Sequence, residues 1–260
     1  MKIFISEVKK ETRKLLSGNY NAPVLTIFIP FLISVAIVLK NFRGGDFYEI
    51  FNKMSSVNGN IIILLINLFM SLAGIAVIYG IKTLHMGEQP HLLKSYTVAI
   101  FNINKYLPTF FLVTALPSAL SSLMSPENMD WLYDVVLMLY VDYTAYLFMI
   151  QLLRVVLNVI QIYLSISLMF VPCILVETRQ FSGFSVIAES FRLSRGRKWQ
   201  LFLMCLGFSG WYILGYAALI IGILWAVVYF NATLYIYYKK IAEDTTPILE
   251  NEGEVDYGRN

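Results

Sequence analysis

Long apolar runs, separated by short polar segments, extend along most of the chain. They cover residues 23–39, 61–81, 107–124, 152–176 and 201–238. A helix needs about 20 predominantly apolar residues to cross about 30 Å of hydrocarbon. The pattern therefore predicts an all-α fold, built as a polytopic bundle of transmembrane helices.

The last run, residues 201–238, is too long for one span. As a straight helix it would extend about 57 Å, nearly twice the hydrocarbon thickness. A turn within residues 215–222 would divide it into two spans, 200–216 and 219–238. The predicted bundle, residues 19–240, then contains about six spans.

The distribution of basic residues orients these spans. Cytoplasmic loops of membrane proteins carry an excess of Lys and Arg. With the N-terminus inside, the outer loops hold only Lys40, Arg43 and Lys53, with Arg154 at a membrane border. A single span over 201–238 would move the basic pair that follows it to the outside. We therefore expect a multi-pass protein of the cell membrane with both termini cytoplasmic.

The composition agrees with a lipid environment. Hydrophobic residues make up 58% of the 260 residues and charged residues 14%, and the mean hydropathy is +0.65. This balance is far from the soluble average and excludes a disordered chain. Cys173 and Cys205 lie inside apolar runs, where free thiols behave as small hydrophobes. A net charge of +3 is too small to argue for a nucleic-acid partner.

Three segments outside the spans have their own character. Residues 1–18 combine an apolar stripe with basic residues, and they predict an amphipathic helix on the inner leaflet. Residues 241–260 are acidic and predict a disordered cytoplasmic tail. Residues 129–151 are aromatic and carry Asp134 and Asp142, which argue against a seventh span. They form either a helix at the outer interface or an outward extension of the fourth span.

The last third of the chain carries a distinctive series of short motifs. They are Ala188-Glu189-Ser190, Ser194-Arg195-Gly196-Arg197-Lys198-Trp199-Gln200-Leu201-Phe202, Gly210-Trp211-Tyr212-Ile213-Leu214-Gly215, Gly222-Ile223-Leu224-Trp225 and Tyr229-Phe230-Asn231-Ala232-Thr233. A weaker echo includes Leu16-Ser17-Gly18-Asn19-Tyr20 and Gly87-Glu88. The pattern resembles the bacterial integral-membrane family catalogued as domain of unknown function 975, found mostly in Gram-positive bacteria. The resemblance implies a polytopic membrane protein and supplies no reaction or cofactor.

Polar side chains recur every three or four residues in the fourth span. They are Gln151, Arg154, Asn158, Gln161 and Ser165. This spacing places them on one helix face, and we expect that face to point into the bundle because polar groups in lipid need partners. The face either lines a polar cavity or solute path, or makes interhelical hydrogen bonds worth about 0.6–2 kcal/mol each. In the second case Arg154 extends to the outer interface.

Basic residues form two clusters on the predicted inner side. The clusters are Lys9, Lys10, Arg13 and Lys14 in the first helix, and Arg192, Arg195, Arg197 and Lys198, followed by Trp199, before the fifth span. Each such charge contributes about 1 kcal/mol of attraction near an anionic leaflet. The clusters either bind anionic lipid head groups or a phosphate-bearing ligand, or only provide the positive-inside signal with a tryptophan anchor.

Small residues in the last two predicted spans indicate close helix packing. They are Gly207, Gly210, Ala218, Gly222 and Ala226. The first two also match the GxSG pattern of rhomboid-type intramembrane serine proteases. Such a serine needs a histidine base on a neighbouring span, but His85 and His91 lie in a predicted loop. The spacing of His85, Glu88 and His91 does not define a metal site, and we expect no metal and no cofactor.

Two classes of function remain. The first is a non-enzymatic membrane protein that acts through anionic envelope lipids, a membrane-protein partner or its own oligomer. Stress or antimicrobial-peptide tolerance is one hypothesis for this class. The second is a small-solute transporter or channel component that uses the polar face of span four. The sequence shows no paired intramembrane carboxylates, phosphate loop or nucleotide-binding segment, and we expect the protein not to be an enzyme.

Overall fold

The described part of the chain is a bundle of helices. The computed structural model describes residues 5–41, 57–117, 119, 143–177, 183–217 and 221–253. The α-helices in chain order are α1 Ile5–Leu16, α2 Asn21–Asn41, α3 Val57–His85, α4 Leu92–Phe101, α5 Ile103–Phe110, α6 Tyr143–Ser167, α7 Val171–Glu177, α8 Gly183–Ser194, α9 Lys198–Ala217 and α10 Ile221–Gly253. No strand occurs within these ranges, which confirms the predicted all-α class.

Three helical segments are long and apolar enough to cross a membrane. They are Asn21–Asn41, Ile61–His85 and Gln151–Glu177, and they coincide with the first, second and fourth predicted spans. The third predicted span, 107–124, overlaps a bent pair of helices, α4 followed by Ile103–Ala115. This pair adds a fourth crossing if its two halves act as one span. The count of six spans stays a prediction.

The bent pair departs from a straight span for local reasons. Its halves differ in direction by 65° at Asn102, whose side-chain amide donates a hydrogen bond to the carbonyl of Val98 (2.9 Å). A π-helical turn, Phe111–Ala115, begins three residues after Pro108. A side chain that competes for backbone hydrogen bonds, a helical proline and a π-helical turn are all common causes of bending.

α10 is the central helix of the bundle. Residues 232–238 are all buried, and seven consecutive residues cover nearly two helical turns. Every face of the helix is therefore enclosed there, because α10 contacts α1, α2, α3, α7 and α9. Tyr235 and Tyr237 are among the largest fully buried side chains, and Phe170 packs 6.2 Å from the Tyr237 ring, measured between centroids.

α9 and α10 form the helical hairpin that the length of the last apolar run predicts. α9 ends at Ala217 and α10 begins at Ile221, and both of these ends fall within the predicted turn. Gly215 marks a very close approach of the two backbones. A Cβ at this position would lie 2.7 Å from the backbone nitrogen of Ile223 and 2.8 Å from the carbonyl carbon of Gly222. Only glycine fits here without displacing backbone atoms.

The other small residues of the hairpin contribute unequally to packing. Ala226 is buried, whereas no atom lies within 4 Å of a Cβ placed at Gly210. A Cβ at Gly207 would meet only the flexible end of a lysine side chain. Ala218 lies outside the described residues. The close approach within the hairpin is therefore at Gly215, opposite Gly222, and not at Gly207 or Gly210.

α1 lies against α10 through its apolar stripe. Val8, Thr12 and Leu16 are buried, and the Thr12 hydroxyl donates to the carbonyl of Val8 (2.8 Å). We expected this stripe to lie on the inner leaflet, but in the structure it contacts protein. The apolar surface of α10 removes the stripe from water as lipid would. Lys10 and Lys14, on the opposite side of α1, stay exposed.

α10 continues past the predicted end of the last span. We predicted a disordered tail over residues 241–260, but residues 241–253 extend the helix, and residues 254–260 lie outside the described part. Ile241 is buried, and Asp244 forms an ion pair with Arg197 (3.5 Å). These two contacts hold the start of the extension against the bundle despite its acidic composition.

The aromatic segment 129–151 is only partly described. Residues 129–142 lie outside the described ranges, and residues 143–151 form the first turns of α6. The described part agrees with the second of the two predicted alternatives, an extension of the fourth span.

Replacing Gly215 with alanine should destabilise the hairpin, because the new Cβ meets backbone atoms that cannot rotate away. We expect a loss of about 1–3 kcal/mol, the usual cost of overpacking. Thermal unfolding of the detergent-solubilised protein measures the effect. Gly210→Ala is the matched control on the same helix, and its unfolding temperature should stay equal or rise slightly. Equal behaviour of the two variants would contradict the close approach at Gly215.

Candidate functional site

Basic residues from distant parts of the chain gather at one end of the bundle. Lys240 of α10 pairs with Glu11 of α1 (2.7 Å), and Arg197 of the α8–α9 turn pairs with Asp244 of α10 (3.5 Å). The turn itself is tight because Gly196 adopts a positive φ of 76°, a conformation that glycine adopts without steric cost. The two predicted basic clusters therefore lie at the same end of the structure.

Several of these cations are already occupied by protein partners. Arg192 forms an ion pair with Glu189 (2.5 Å), and that hydrogen-bonded carboxylate raises the pKa of the Arg192 guanidinium. The Lys198 ammonium lies over the rings of Tyr163 (3.7 Å) and Phe191 (5.5 Å), a cation–π arrangement. Lys240 and Arg197 have the acidic partners described above. These side chains hold the bundle together more than they present charge to a ligand.

Two cations of α1 turn toward the α9–α10 hairpin. The Lys9 ammonium lies 4.7 Å from the centre of the Phe208 ring. Burial lowers the pKa of Lys9, and the nearby Arg13 charge lowers it further. The Arg13 Nε donates a hydrogen bond to the Tyr229 hydroxyl (3.1 Å). The spacing of the basic residues in the sequence does not distinguish Lys9 and Arg13, which contact the hairpin, from Lys10 and Lys14, which stay exposed.

Three of the predicted cations remain exposed without a described partner. They are Lys10, Lys14 and Arg195, which form no ion pair with any residue that the structure describes. Trp199 follows Arg195 by four residues, lies on the first turn of α9 and is 69% exposed. Its ring stacks on Phe202 at 5.4 Å. The side chains available for an external anionic ligand are therefore this smaller set, which we call the free basic set: Lys10, Lys14 and Arg195.

A partly buried acidic residue that the sequence analysis overlooked joins three helices at the same end. Glu177, at the end of α7, pairs with Lys82 of α3 (2.5 Å) and Lys239 of α10 (2.9 Å). The Tyr235 hydroxyl donates to the same carboxylate (3.3 Å), and the Lys82 ammonium also donates to the carbonyl of Val176 (3.0 Å). Each charged residue ends an apolar run in the sequence, which is the signal that could have identified the cluster.

The polar face predicted in the fourth span is only partly internal. Arg154, Gln161 and Ser165 are half-buried, and the Gln161 amide donates to the carbonyl of Val113 (3.4 Å). Gln151 and Asn158 are exposed instead, so the structure differs from the prediction at these two positions. α6 has described neighbours on only part of its surface, chiefly near its C-terminal half. The contact between Gln161 and Val113 supports interhelical hydrogen bonding more than a continuous solute path.

The described residues do not assemble a metal site. No three His, Cys, Asp or Glu side chains converge within the described ranges. His85 is exposed and lies edge-on to Tyr235, at 6.0 Å between ring centroids. Cys173 is fully buried among apolar side chains of α7, and it is a free thiol.

Comparison with known protein families identifies the family of the chain. The family model described as a protein of unknown function, DUF975, matches residues 4–245. The chain belongs to this family. The match includes α1 to α9 and most of α10, and it confirms the resemblance in the sequence motifs. No curated protein matches the chain, and no solved structure matches it. The family description states no activity, so the function of this DUF975 protein must be argued from its geometry.

Replacing Glu177 with glutamine should destabilise the protein, because Lys82 and Lys239 would lose their shared carboxylate. We expect a loss of about 1–3 kcal/mol, since breaking a fully buried pair costs about 3–5 kcal/mol and these side chains keep some exposure. Denaturant unfolding in detergent measures it. The control is Glu11→Gln, which removes the exposed partner of Lys240 and should cost about 0–1 kcal/mol. Equal losses would contradict a special role for Glu177.

Proposed function

We propose that this DUF975 protein is a non-enzymatic, multi-pass protein of the cell membrane that acts at the inner surface through anionic lipids. The observation that carries the proposal is the convergence of the basic residues at one end of the bundle, with the free basic set exposed there. A positively charged, tryptophan-flanked surface next to apolar spans is suited to anionic head groups.

The six-span topology is part of the proposal. α1 and Lys240 lie at the same end, so an even number of crossings must separate them. The described candidates provide up to four crossings, and α9 and α10 would add two. Lys82 and Lys239, which share a carboxylate partner, then also lie inside. The positive-inside rule assigns this end to the cytoplasm, and both termini with it.

The free basic set would supply the attraction between this surface and anionic lipids. Each cation near an anionic leaflet contributes about 1 kcal/mol, and this attraction weakens as salt shortens the Debye length. Ion-paired residues such as Arg192 add little, because their field is already offset by the neighbouring carboxylate. The solute-transport alternative has less support, since Gln151 and Asn158 do not face a described cavity. A role in stress tolerance stays a hypothesis.

The topology can be tested with single cysteines in a background without Cys173 and Cys205. We expect a cysteine replacing the exposed Glu243 to react with an impermeant maleimide in inverted vesicles and not in spheroplasts. A cysteine replacing Lys40, at the other end of α2, should show the reverse behaviour. Labelling of the Glu243 position from outside the cell would refute the proposed orientation.

The lipid contact can be tested by neutralising the free basic set with Lys10→Gln, Lys14→Gln and Arg195→Gln together. At about 1 kcal/mol each, phosphatidylglycerol binding should weaken by up to about a hundredfold at low salt and by much less at high salt. Native mass spectrometry of the protein in nonionic detergent measures the retained lipid.

The matched control removes an ion pair instead of a free charge. The double variant Arg192→Gln with Glu189→Gln loses an arginine at the same surface without changing the net charge. Its lipid retention should equal that of the original protein. If the triple variant retains phosphatidylglycerol as well as this control does, the basic end is only a topology signal and the proposal is wrong.

A further inference from the structure

A cavity opens where α1, α9 and α10 meet, next to Tyr20, the residue that precedes α2. Its volume is about 550 Å³, within the ~300–1,000 Å³ range of small-molecule sites. The residues that define its chemistry are Arg13, Tyr20, Trp211, Leu214, Trp225 and Tyr229. The wall is therefore apolar and aromatic, with a single cation. This composition differs from that of the exposed basic surface described above.

The cavity has a closed floor and an open apolar rim. Ala226 and Tyr229, on α10, are buried at its floor. Trp211, Leu214 and Trp225 line the rim and are each about half exposed or more, at 50%, 63% and 47%. Exposed apolar groups of this size on two proposed spans face hydrocarbon more favourably than water. The opening is thus directed at the lipid side of the hairpin.

The polar end of the cavity is organised by Tyr229. Its hydroxyl accepts the Arg13 Nε hydrogen bond (3.1 Å) and lies 3.4 Å from the carbonyl of Lys9, to which it donates. A guanidinium carries five N–H donors in a fixed plane, and the described contacts use one of them. The remaining donors suit a phosphate or carboxylate, which accepts two parallel hydrogen bonds from one arginine.

The charged end of the cavity lies on the side of the bundle that carries the basic residues. Along α10, Tyr229 is nearer to the basic end than Trp225 and Gly222, and the span from Gly222 to Tyr229 is about 10 Å. Trp225 stacks on Tyr20 (4.6 Å between centroids), which braces one wall. An occupant with its charge at Arg13 would extend its apolar part toward the far end of the hairpin.

We propose that this cavity binds one anionic phospholipid, with its phosphate at Arg13 and an acyl chain between Trp211, Leu214 and Trp225. The inference rests on the proposed function, because it requires α9 and α10 to lie in the membrane. It adds a single, stoichiometric lipid site to the diffuse attraction of the free basic set. Charge complementarity at Arg13 selects an anionic head group, and the lipid-facing rim selects a membrane component over a soluble anion.

The head-group end can be tested with Arg13→Gln in delipidated protein titrated with phosphatidylglycerol. We expect the tightest-binding lipid, counted by native mass spectrometry, to bind about tenfold more weakly, as expected for the loss of a charge-assisted bidentate contact. The matched control is Lys40→Gln, which removes an exposed cation at the other end of α2 and should leave this site unchanged. Equal effects of the two variants would overturn the assignment of Arg13.

The acyl-chain end needs a variant that fills the opening without disturbing the core. Leu214→Trp places a larger side chain at the exposed rim, and Ile213→Trp does so at a neighbouring position that is 70% exposed and does not line the cavity. We expect the first variant to lose the single tight lipid and the second to keep it. Both should unfold at the temperature of the original protein, which shows that the loss is not caused by misfolding.

The outcomes separate this site from the proposed function and from other occupants. If the free basic set variant loses lipid while Arg13→Gln and Leu214→Trp keep the tight one, the cavity proposal is wrong and the surface proposal stands. If instead the Arg13→Gln and Leu214→Trp variants lose the tight lipid while the free basic set variant keeps its lipid, the cavity proposal stands and the surface proposal is wrong. Equal retention of phosphatidylcholine, occupancy by detergent alone, or loss of a dimer in the Leu214→Trp variant would each overturn the phospholipid assignment.

Discussion

The complete burial of the middle of α10 is the constraint on which the rest of the structure depends. A helix enclosed on every face must be surrounded by other elements, and α1, α2, α3, α7 and α9 supply those contacts. Tyrosines suit this position because they fill large volumes and still carry a hydroxyl that can reach a partner. Tyr237 donates to Gln200 (2.7 Å), and Tyr235 donates to Glu177. The aromatic packing thereby also positions polar groups at the basic end.

The charged groups at that end divide into two kinds with different roles. Glu177 draws Lys82 and Lys239 together, so the ends of α3, α7 and α10 are held at a common level. Such pairs favour one particular arrangement of the helices, because a partly buried carboxylate is tolerated only where its cations are close to it. The free basic set has no such internal task in the described structure. A surface that keeps unpaired cations beside an exposed tryptophan is suited to an external anion.

The α9–α10 hairpin combines two opposite requirements. Gly215 brings the two backbones close together, while the aromatic side chains further along the helices line an open cavity. Arg13 reaches this cavity from α1, which itself is held by its buried stripe on α10. Folding of the N-terminal helix and formation of the cavity are therefore coupled. A lipid bound there would bridge α1 and the hairpin and stabilise both, since a ligand favours the state that binds it.

The sequence by itself determined the helical class, three helices that are long and apolar enough to cross a membrane, and the division of residues 201–238 between two helices. These follow from hydrophobic run lengths, which the bilayer thickness sets without reference to any partner. The basic clusters were also evident, because charge is a property of single residues. Tertiary structure alone decided which cations are paired, that Lys9 and Arg13 contact aromatic side chains of the α9–α10 hairpin, and that Gln151 and Asn158 are exposed. It also placed the α1 stripe on α10 and extended α10 beyond residue 240. Each of these depends on contacts between residues far apart in the chain, such as Arg13 with Tyr229 and Glu177 with Lys82. Helical periodicity shows which residues share a face, but it contains no information about which helix that face will contact.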